Sequence, residues 1–341
     1  MTDRLTTTSS IPALDPDRVG LIEEVGARIQ PLEPIGAAVS GMDLRSERPP
    51  EPVIQALESE MANRGFLVFK DQHALSADEL VQACVWWGGR KMLSTHGVHP
   101  STPDGNRHIF RLSNERQHGI LGVGPLFHND GAFCEAPFSH VAYHMLQAPE
   151  NGGGTIFAHL GGAFDSLPAE TQAYWSRLTS VNSTTGVVHP LVHHHPISGR
   201  ASVWLHLGMT GAVIEKSPNE EAFRLLDEAE LQQLCREYDA LLNRGIAEGF
   251  TLPYEYESGD CVFIDNYAVA HRAAPEAHKP ASSQGLRIMH RATVMAPFDR
   301  FAPDFGLPQY LDIQGPSPFG PGVWKAGGIG FRWDDSAPMQ N

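Results

Sequence analysis

The sequence predicts a mainly β protein with flanking helices, arranged as a double-stranded β-helix, or jelly roll. Short β-prone runs bounded by Gly, Pro and Asn dominate the middle of the chain, and helical patterns lie mostly outside them. The 341 residues include 33 glycines and 26 prolines, which suits a loop-rich barrel. Strands and helices do not alternate regularly, so the pattern does not favour a parallel α/β sheet.

The N-terminal part of the chain predicts a loose arm, two helices and a strand. Residues 1–29 are polar and interrupted by proline, so we expect a flexible arm with at most a short helix. The spacing of apolar residues predicts a helix over 52–64, and a β-prone run follows at 66–70. Ser76 and Glu79 form a capping box, in which each side chain satisfies a backbone N–H, and this opens a second helix.

The rest of the chain predicts strands, two more helices and an irregular tail. Helical patterns lie near 168–179 and after the capping box of Asp227 and Glu230. The β-prone runs lie at 109–113, 139–146, 155–158, 202–207, 261–265 and 286–295. We expect one domain over residues 30–300, and an irregular, aromatic-rich tail over 301–341 packed on the same domain.

Composition and charge exclude several classes of protein. Lys plus Arg number 25 against 40 Asp plus Glu, a net charge of −15, so we expect no binding to nucleic acid or anionic membrane. No apolar run approaches the roughly 18 residues that a membrane span needs. The four cysteines are scattered without C-x-x-C spacing, and the first residues lack a secretion pattern. We therefore expect a cytoplasmic protein that acts on a small molecule.

Three polar residues are candidate metal ligands. His128 and Asp130 form an H-x-D pattern, and side chains two residues apart on an extended chain point to the same side. An imidazole and a carboxylate on one face can supply two of the three ligands of a non-haem Fe(II) site. His271 follows Asn266 by five residues, where a turn ends and a strand begins, and is a candidate third ligand.

The last predicted strand carries two arginines on one face. Arg287, Met289 and Arg291 alternate with Ile288, His290 and Ala292, so each set of three shares one side of the strand. If this side faces the barrel interior, the arginines need anionic partners, because an unpaired buried charge costs several kcal/mol. The strand itself holds no acid, and a dicarboxylate cosubstrate would supply the partner. The alternative is an outward face with solvated arginines.

The order of these motifs resembles the TauD/TfdA family of taurine and 2,4-dichlorophenoxyacetate dioxygenases. The likeness extends over roughly 30–296 and consists of H-x-D, GG-x-T, GD-x4-DN-x4-H and R-x-M-H-R. The resemblance implies a jelly roll that uses Fe(II), 2-oxoglutarate and O2, and that releases succinate and CO2 while it oxidises a C–H bond. It implies three iron ligands, which are His128, Asp130 and His271. It also implies that Thr155 and Arg287 bind the distal carboxylate of 2-oxoglutarate.

The resemblance further implies two substrate contacts. Arg291 matches a position that meets the anionic end of the substrate in the taurine enzyme, and His99 lies in a segment similar to the family's substrate loop. Gly124 and Thr102 depart from the family pattern, at positions where a polar contact and an aromatic are expected. We therefore expect a small or medium anionic substrate other than taurine. Family members commonly associate, so a homo-oligomer is also expected.

Two other functions use the same ligand pattern. A zinc or other metal-dependent hydrolase or isomerase on a cupin-like barrel would leave Arg287 and Thr155 without a role. A catalytically silent jelly-roll binding protein would hold no metal. A run of three histidines at 193–195 looks like a metal cluster, but consecutive residues on an extended chain cannot all face one ion. We interpret it as a solvent-exposed loop.

Overall fold

Strands make up most of the ordered chain, as the sequence predicts. The structure is a computed structural model that describes residues 11–122, 124–218, 222–295 and 306–324. The helices are α1 (Pro16–Glu24), α2 (Glu51–Arg64), α3 (Ala77–Cys84), α4 (Leu160–Asp165), α5 (Ala169–Trp175), α6 (Glu228–Glu248) and α7 (Ala281–Gln284). The strands are β1 (Arg28–Pro31), β2 (Ala37–Ser40), β3 (Phe66–Phe69), β4 (Arg90–Lys91), β5 (Phe110–Ser113), β6 (Phe138–Gln147), β7 (Thr155–His159), β8 (Leu178–Asn182), β9 (Val188–Pro190), β10 (Val192–His194), β11 (Ala201–Val203), β12 (Thr210–Lys216), β13 (Phe223–Leu225), β14 (Thr251–Tyr254), β15 (Cys261–Asp265), β16 (Val269–Ala273) and β17 (Ile288–Met295).

Two facing sheets form the barrel. The larger sheet has the strand order β1-β2-β3-β15-β6-β17-β4, with β5 also paired to β17. Its pairs are antiparallel apart from β2 and β3. A three-stranded sheet, β14-β7-β16, packs against it, and a four-stranded sheet, β13-β12-β8-β9, continues the smaller side. Strands β10 and β11 form a separate pair.

The larger sheet is buried on both faces, which explains its nearly continuous apolar strands. On the inner face, Phe66 of β3 contacts Phe157 of β7 with ring centroids 4.5 Å apart. On the outer face, Phe69 and Phe263 share a buried cluster with Leu57 of α2 and with residues of α3. Burying such a side chain contributes about 1.5–3 kcal/mol, so the helices and the smaller sheet both hold the larger sheet in place.

Local sequence signals locate several elements well. Both predicted capping boxes are present, and Asp227 Oδ1 accepts a hydrogen bond from the Glu230 backbone N–H at 2.9 Å. The run predicted at 261–265 is β15 without change. The helical pattern near 168–179 is shorter than predicted, because α5 ends at Trp175 and the following residues enter β8. Among the described residues, no helix combines the length and apolarity that crossing a membrane requires.

Residues 11–29 are part of the fold, so the prediction of a loose arm over 1–29 is wrong for these residues. Helix α1 is N-capped by Asp15 and buries Ile22 completely. Arg18 pairs with the buried Glu60 of α2 at 3.0 Å. Helix α1 is polar overall, so its packing onto α2 leaves no strong periodic signal in the sequence. The first ten residues lie outside the described residues.

Residues 306–324 are irregular and pack on the four-stranded sheet. The backbone N–H of Val188 donates to Gln309 O and that of Leu311 donates to Gly186 O, each at 2.9 Å. Phe319 is among the residues that cover the apolar cluster of this sheet. The remainder of the predicted 301–341 tail lies outside the described residues.

Candidate metal centre and anion pocket

A pocket of about 510 Å³ opens between the two sheets. The larger sheet contributes side chains from β5, β6 and β17, and the smaller sheet contributes β7 and β16. Ile120, Gly122, Gly124 and His128 form one wall. Six of the seven residues singled out in the sequence line this pocket or touch its lining residues, and these six are His128, Asp130, Thr155, His271, Arg287 and Arg291.

His128 and His271 face each other across an antiparallel backbone bridge. The N–H of each residue donates to the carbonyl oxygen of the other at 3.0 Å. Residues that exchange both hydrogen bonds lie directly opposite, with side chains on the same side. The two imidazole centroids are accordingly 4.4 Å apart. This bridge brings together two residues that are far apart in the sequence.

Asp130 completes the group. Its Oδ1 lies 4.0 Å from His128 Nε2, and its Oδ2 lies 3.8 Å from His271 Nε2. Arg291 Nη1 donates to Asp130 Oδ1 at 2.8 Å. Burial raises the pKa of Asp130, but the charges of Arg291 and the nearby histidines outweigh burial and lower the pKa to about 2. The carboxylate is therefore ionised at neutral pH.

Both histidines turn their imidazoles toward this carboxylate. Burial, together with His128, lowers the pKa of His271 to about 3. His128 Nδ1 lies 2.8 Å from Leu126 O, which fixes the tautomer that leaves Nε2 as an acceptor. One ligand atom from each of the three residues lies within 4.8 Å of the others. Two imidazoles and one carboxylate suit a divalent non-haem iron.

Tyr143 lies beside this group and was not predicted from the sequence. Its hydroxyl is 2.8 Å from His271 Nε2 and donates to Asp130 Oδ2 at 3.4 Å. Burial and the charge of Asp130 raise the pKa of Tyr143, so the hydroxyl stays protonated. Tyr143 lies opposite Arg291 in the β6–β17 register. Finding Tyr143 from the sequence would have required the pairing of β6 with β17, which the sequence does not give.

Arg287 is a buried cation that needs an anion. Arg287 is 9% exposed, and no carboxylate among the described residues forms an ion pair with its guanidinium. Its Nε is buried without a hydrogen-bond partner, and burial lowers its pKa. Thr155 Oγ1 accepts a hydrogen bond from Tyr256 at 2.9 Å, which leaves the Thr155 proton free to donate. The inward arginine face is thus confirmed, and the solvated alternative is wrong.

Arg291 has N–H donors that its contact with Asp130 does not use. One nitrogen binds Asp130, Nη2 is 3.5 Å from His96 Nδ1, and Nε is buried without a partner. The guanidinium lies over the Phe110 ring at 4.7 Å, and His96 stacks on the same ring at 3.9 Å. An anion entering the pocket would therefore meet a cation that is already oriented.

His99 is not among the residues that line the pocket, so the geometry adds no support to the predicted substrate contact at this residue. Its Nε2 lies 2.9 Å from Arg116 O, and its Nδ1 accepts a hydrogen bond from Ser101 N at 3.1 Å. Nδ1 therefore holds the histidine's own loop, and Nε2 links that loop to the segment of Arg116. His96, three residues earlier, is the histidine that reaches Arg291.

The space beside the His128 ring explains why residue 124 is a glycine. Gly124 has φ +72°, and a Cβ there would lie 2.9 Å from His128 Cε1. A side chain would push the imidazole out of place, so glycine is needed for the ring to lie against this wall.

The histidine run at 193–195 is not an exposed loop, which corrects the sequence interpretation. His193 and His195 are buried, and only His194 of the three is exposed. His195 Nε2 lies 3.0 Å from Asp265 Oδ2, and His193 Nε2 lies 3.1 Å from Tyr267 O. These contacts support the turn between β15 and β16, and the alternation rule explains why His194 points away.

Comparison with known proteins identifies the family. The family model "Taurine catabolism dioxygenase TauD, TfdA family" matches residues 28–293. The chain belongs to the TauD, TfdA family. Membership makes it an alpha-ketoglutarate-dependent (2-oxoglutarate-dependent) dioxygenase that uses Fe(II) and O2, and the His-Asp-His group fits that metal. The resemblance stated from the motifs is confirmed.

Relatives of this family member share its fold at low identity. An "Alpha-ketoglutarate-dependent sulfate ester dioxygenase" from Pseudomonas putida is 24% identical over 271 residues, which cover 71% of this chain and 82% of that protein. A taurine dioxygenase structure from Burkholderia xenovorans has a TM-score of 0.63 at 22% identity, covering 80% of this chain and 91% of that one. The structure of AAD-2 in complex with Mn(II) and N-oxalylglycine has a TM-score of 0.61 at 23% identity, covering 80% and 98%. The predicted jelly roll is thereby confirmed.

Proposed function

We propose that the enzyme oxidises a C–H bond of a small or medium organic anion, with Fe(II) held by His128, Asp130 and His271. The observation that carries this proposal is the buried guanidinium of Arg287, which has no carboxylate partner within the described part of the chain and lies in the same pocket as three side chains able to bind a metal. A zinc hydrolase or isomerase needs no such cation. A silent binding protein would have no reason to bring three ligand atoms together.

We propose that Arg287 and Thr155 bind the distal carboxylate of 2-oxoglutarate. A guanidinium binds a carboxylate through two parallel hydrogen bonds, and the free proton of Thr155 adds a third donor. Both residues line the pocket, one from each sheet. This role satisfies a buried charge that has no carboxylate partner among the described residues.

We propose that Arg291 binds the anionic group of the substrate. Its unpartnered Nε and weakly engaged Nη2 are the donors available for it. The relatives named above act on a sulfate ester and on taurine, which both carry an anionic sulfur–oxygen group. Leu112 and Ile120 line the same pocket and offer an apolar surface for the rest of the substrate.

The residues of the chain prepare the site before any reaction. Bound Fe(II), 2-oxoglutarate and O2 supply the oxidising chemistry, in which 2-oxoglutarate loses CO2 and becomes succinate. The contact of His128 Nδ1 with Leu126 O orients the ring so that Nε2 faces Asp130. Arg291 keeps Asp130 ionised, and Tyr143 holds a proton beside His271. Position and exclusion of water are the contributions of the protein.

Succinate release from 2-oxoglutarate tests the proposed function. We expect succinate to form when the protein, Fe(II), 2-oxoglutarate, O2 and an alkyl sulfate or sulfonate are combined, and succinate formation to be lost in the Asp130→Ala variant. The Gln72→Ala variant, changed at a buried amide far from the pocket, is the control. Product that forms with Zn(II) and without O2 would instead establish a hydrolase.

Two finer properties are proposals. We propose that the enzyme works in the cytoplasm, where its four free cysteines stay reduced. We also propose that it forms a homo-oligomer, which sedimentation at several concentrations tests. A single monomeric species at every concentration would contradict this.

A further inference from the structure

Two fully buried asparagines link the segment of the H-x-D motif to the turn that precedes His271. Asn129 lies between the two candidate ligands His128 and Asp130, and its side chain points away from the pocket lining. Its Nδ2 donates to Asn266 O at 2.7 Å and to Val269 O at 2.8 Å. Both asparagines are 0% exposed.

The carboxamide of Asn266 bonds in turn to the main chain of Asp130. Its Oδ1 accepts a hydrogen bond from Asp130 N at 3.0 Å, and its Nδ2 donates to Asp130 O at 2.8 Å. The same Nδ2 donates to Phe138 O at 2.7 Å. The Asn266 carboxamide accepts from and donates to the main chain of the same residue, Asp130. It therefore takes the place of the adjacent strand, which would otherwise bond to both of these main-chain groups.

Asp130 needs this replacement because no strand holds it. The backbone bridge joins His128 to His271, but Asp130 lies two residues farther on and outside every strand of the described residues. Both of its main-chain polar groups bond to the Asn266 side chain. The position of the carboxylate relative to His271 therefore depends on an amide five residues before that histidine.

The turn that carries Asn266 is itself fixed. Asp265 Oδ1 accepts hydrogen bonds from Tyr267 N at 3.0 Å and from Ala268 N at 3.2 Å. Asn266 N donates to Ser139 O at 3.0 Å, which ties the turn to the larger sheet. Because the turn is fixed, the Asn266 side chain can hold Asp130 in one place.

We infer that Asn129 and Asn266 are positioning residues that hold Asp130 at its distance from His271 and so set the affinity of this site for a divalent metal. We call the pair the asparagine clasp. The inference rests on the proposed role of the three ligands, and nothing in the reaction requires either amide to touch the metal. Groups that orient metal ligands typically change metal affinity about 10–100-fold when removed.

Mn(II) binding to chelator-treated protein tests the clasp. We expect Asn266→Ala and Asn129→Leu to raise the Kd for Mn(II) about 10–100-fold. Asn129→Ser keeps one donor in place of the amide, so its Kd should lie between wild type and Asn129→Leu. That graded rescue separates positioning from a general loss of packing.

Gln72→Ala is the matched control. Gln72 is also a buried amide that links loops, since its Nε2 donates to Met42 O at 2.9 Å and its Oε1 accepts from Leu44 N at 3.0 Å. It does not line the pocket. We expect it to lower the unfolding midpoint while changing the Kd for Mn(II) by no more than about twofold, as distant sites do.

The outcomes are distinct. Folded Asn266→Ala and Asn129→Leu proteins that bind Mn(II) with wild-type affinity overturn the clasp, and so does an equal loss in Gln72→Ala. If Asn266→Ala does not fold, the comparison of Asn129→Leu with Asn129→Ser decides. Wild-type protein that binds Mn(II) but releases no succinate with Fe(II) and 2-oxoglutarate contradicts the proposed function alone.

Discussion

Arg287 and Arg291 share one face of β17 but have different surroundings. Arg287 has no carboxylate partner among the described residues, whereas Arg291 already binds Asp130 at 2.8 Å. Single substitutions of the two arginines should therefore separate the binding of 2-oxoglutarate from the binding of substrate.

Arg287→Ala should raise the Kd for 2-oxoglutarate by about 100-fold, because losing one partner of a buried charge pair costs about 2–5 kcal/mol. Arg287→Lys should recover part of the loss, since lysine keeps the charge without the planar pair of donors. Equilibrium binding of 2-oxoglutarate to the Mn(II) form gives the values. Unchanged binding in Arg287→Ala would remove the proposed role of this residue.

Arg291→Ala should raise the substrate KM far more than the Kd for 2-oxoglutarate. The variant removes the donors left for the substrate anion, while the Arg287 and Thr155 donors remain. Steady-state succinate release and 2-oxoglutarate binding give the two numbers. An equal loss in both would show that the arginines do not divide the roles as proposed.

The sequence was sufficient for residues recognised by chemistry and spacing, but not for residues that act through contacts. His128, Asp130 and His271 follow from a motif order. Tyr143 and His96 do not, because their roles depend on which strands and rings they face. His99 shows the same limit, since a residue in the right loop can direct both nitrogens elsewhere.

Among the helices and strands, the best predicted features are those that depend on residues only three or four positions apart. Both capping boxes are local, and both are present. The packing of helix α1 on the domain does not follow from the sequence, because it rests on Ile22 and on the Arg18–Glu60 pair, which depend on contact with α2. The burial of residues 193–195 does not follow from the sequence, because it depends on what packs against His193 of β10 and against His195 just after that strand.

Removing the cap of α6 should weaken the fold without affecting the site. Asp227→Ala loses the bond to Glu230 N at 2.9 Å, and N-cap losses cost about 1 kcal/mol of unfolding free energy. Asp227→Ser keeps a cap and should stay close to wild type. Guanidinium unfolding measures the difference. A changed Kd for Mn(II) in Asp227→Ala would mean that α6 acts on the metal site.

At the scale of the whole molecule, buried neutral histidines make stability depend on pH. Burial lowers the pKa to about 3 or about 4 in five histidines away from the metal ligands, which are His144, His159, His189, His193 and His290. The unfolded chain binds protons at these groups below about pH 6.5, and the folded chain does not. The unfolding free energy is therefore full above pH 6.5 and falls as the pH decreases toward 4.

Metal-free protein should lose about 1 kcal/mol of unfolding free energy for each such histidine between pH 7.5 and pH 5.5. Guanidinium unfolding at the two pH values measures the loss. A second comparison between pH 7.5 and 8.5, where histidine does not titrate, should show little change. Equal stability at pH 7.5 and 5.5 would mean that these histidines are protonated in the folded protein.

Anaerobic absorption spectroscopy of the Fe(II) protein with 2-oxoglutarate is the most direct measurement of the central claim, that one pocket binds the metal and the keto acid together. We predict a visible charge-transfer band when 2-oxoglutarate is added to the Fe(II) protein. The band should be absent in Asp130→Ala and should require far more 2-oxoglutarate in Arg287→Ala. Folded wild-type protein that is fully loaded with Fe(II) and shows no band would contradict the account.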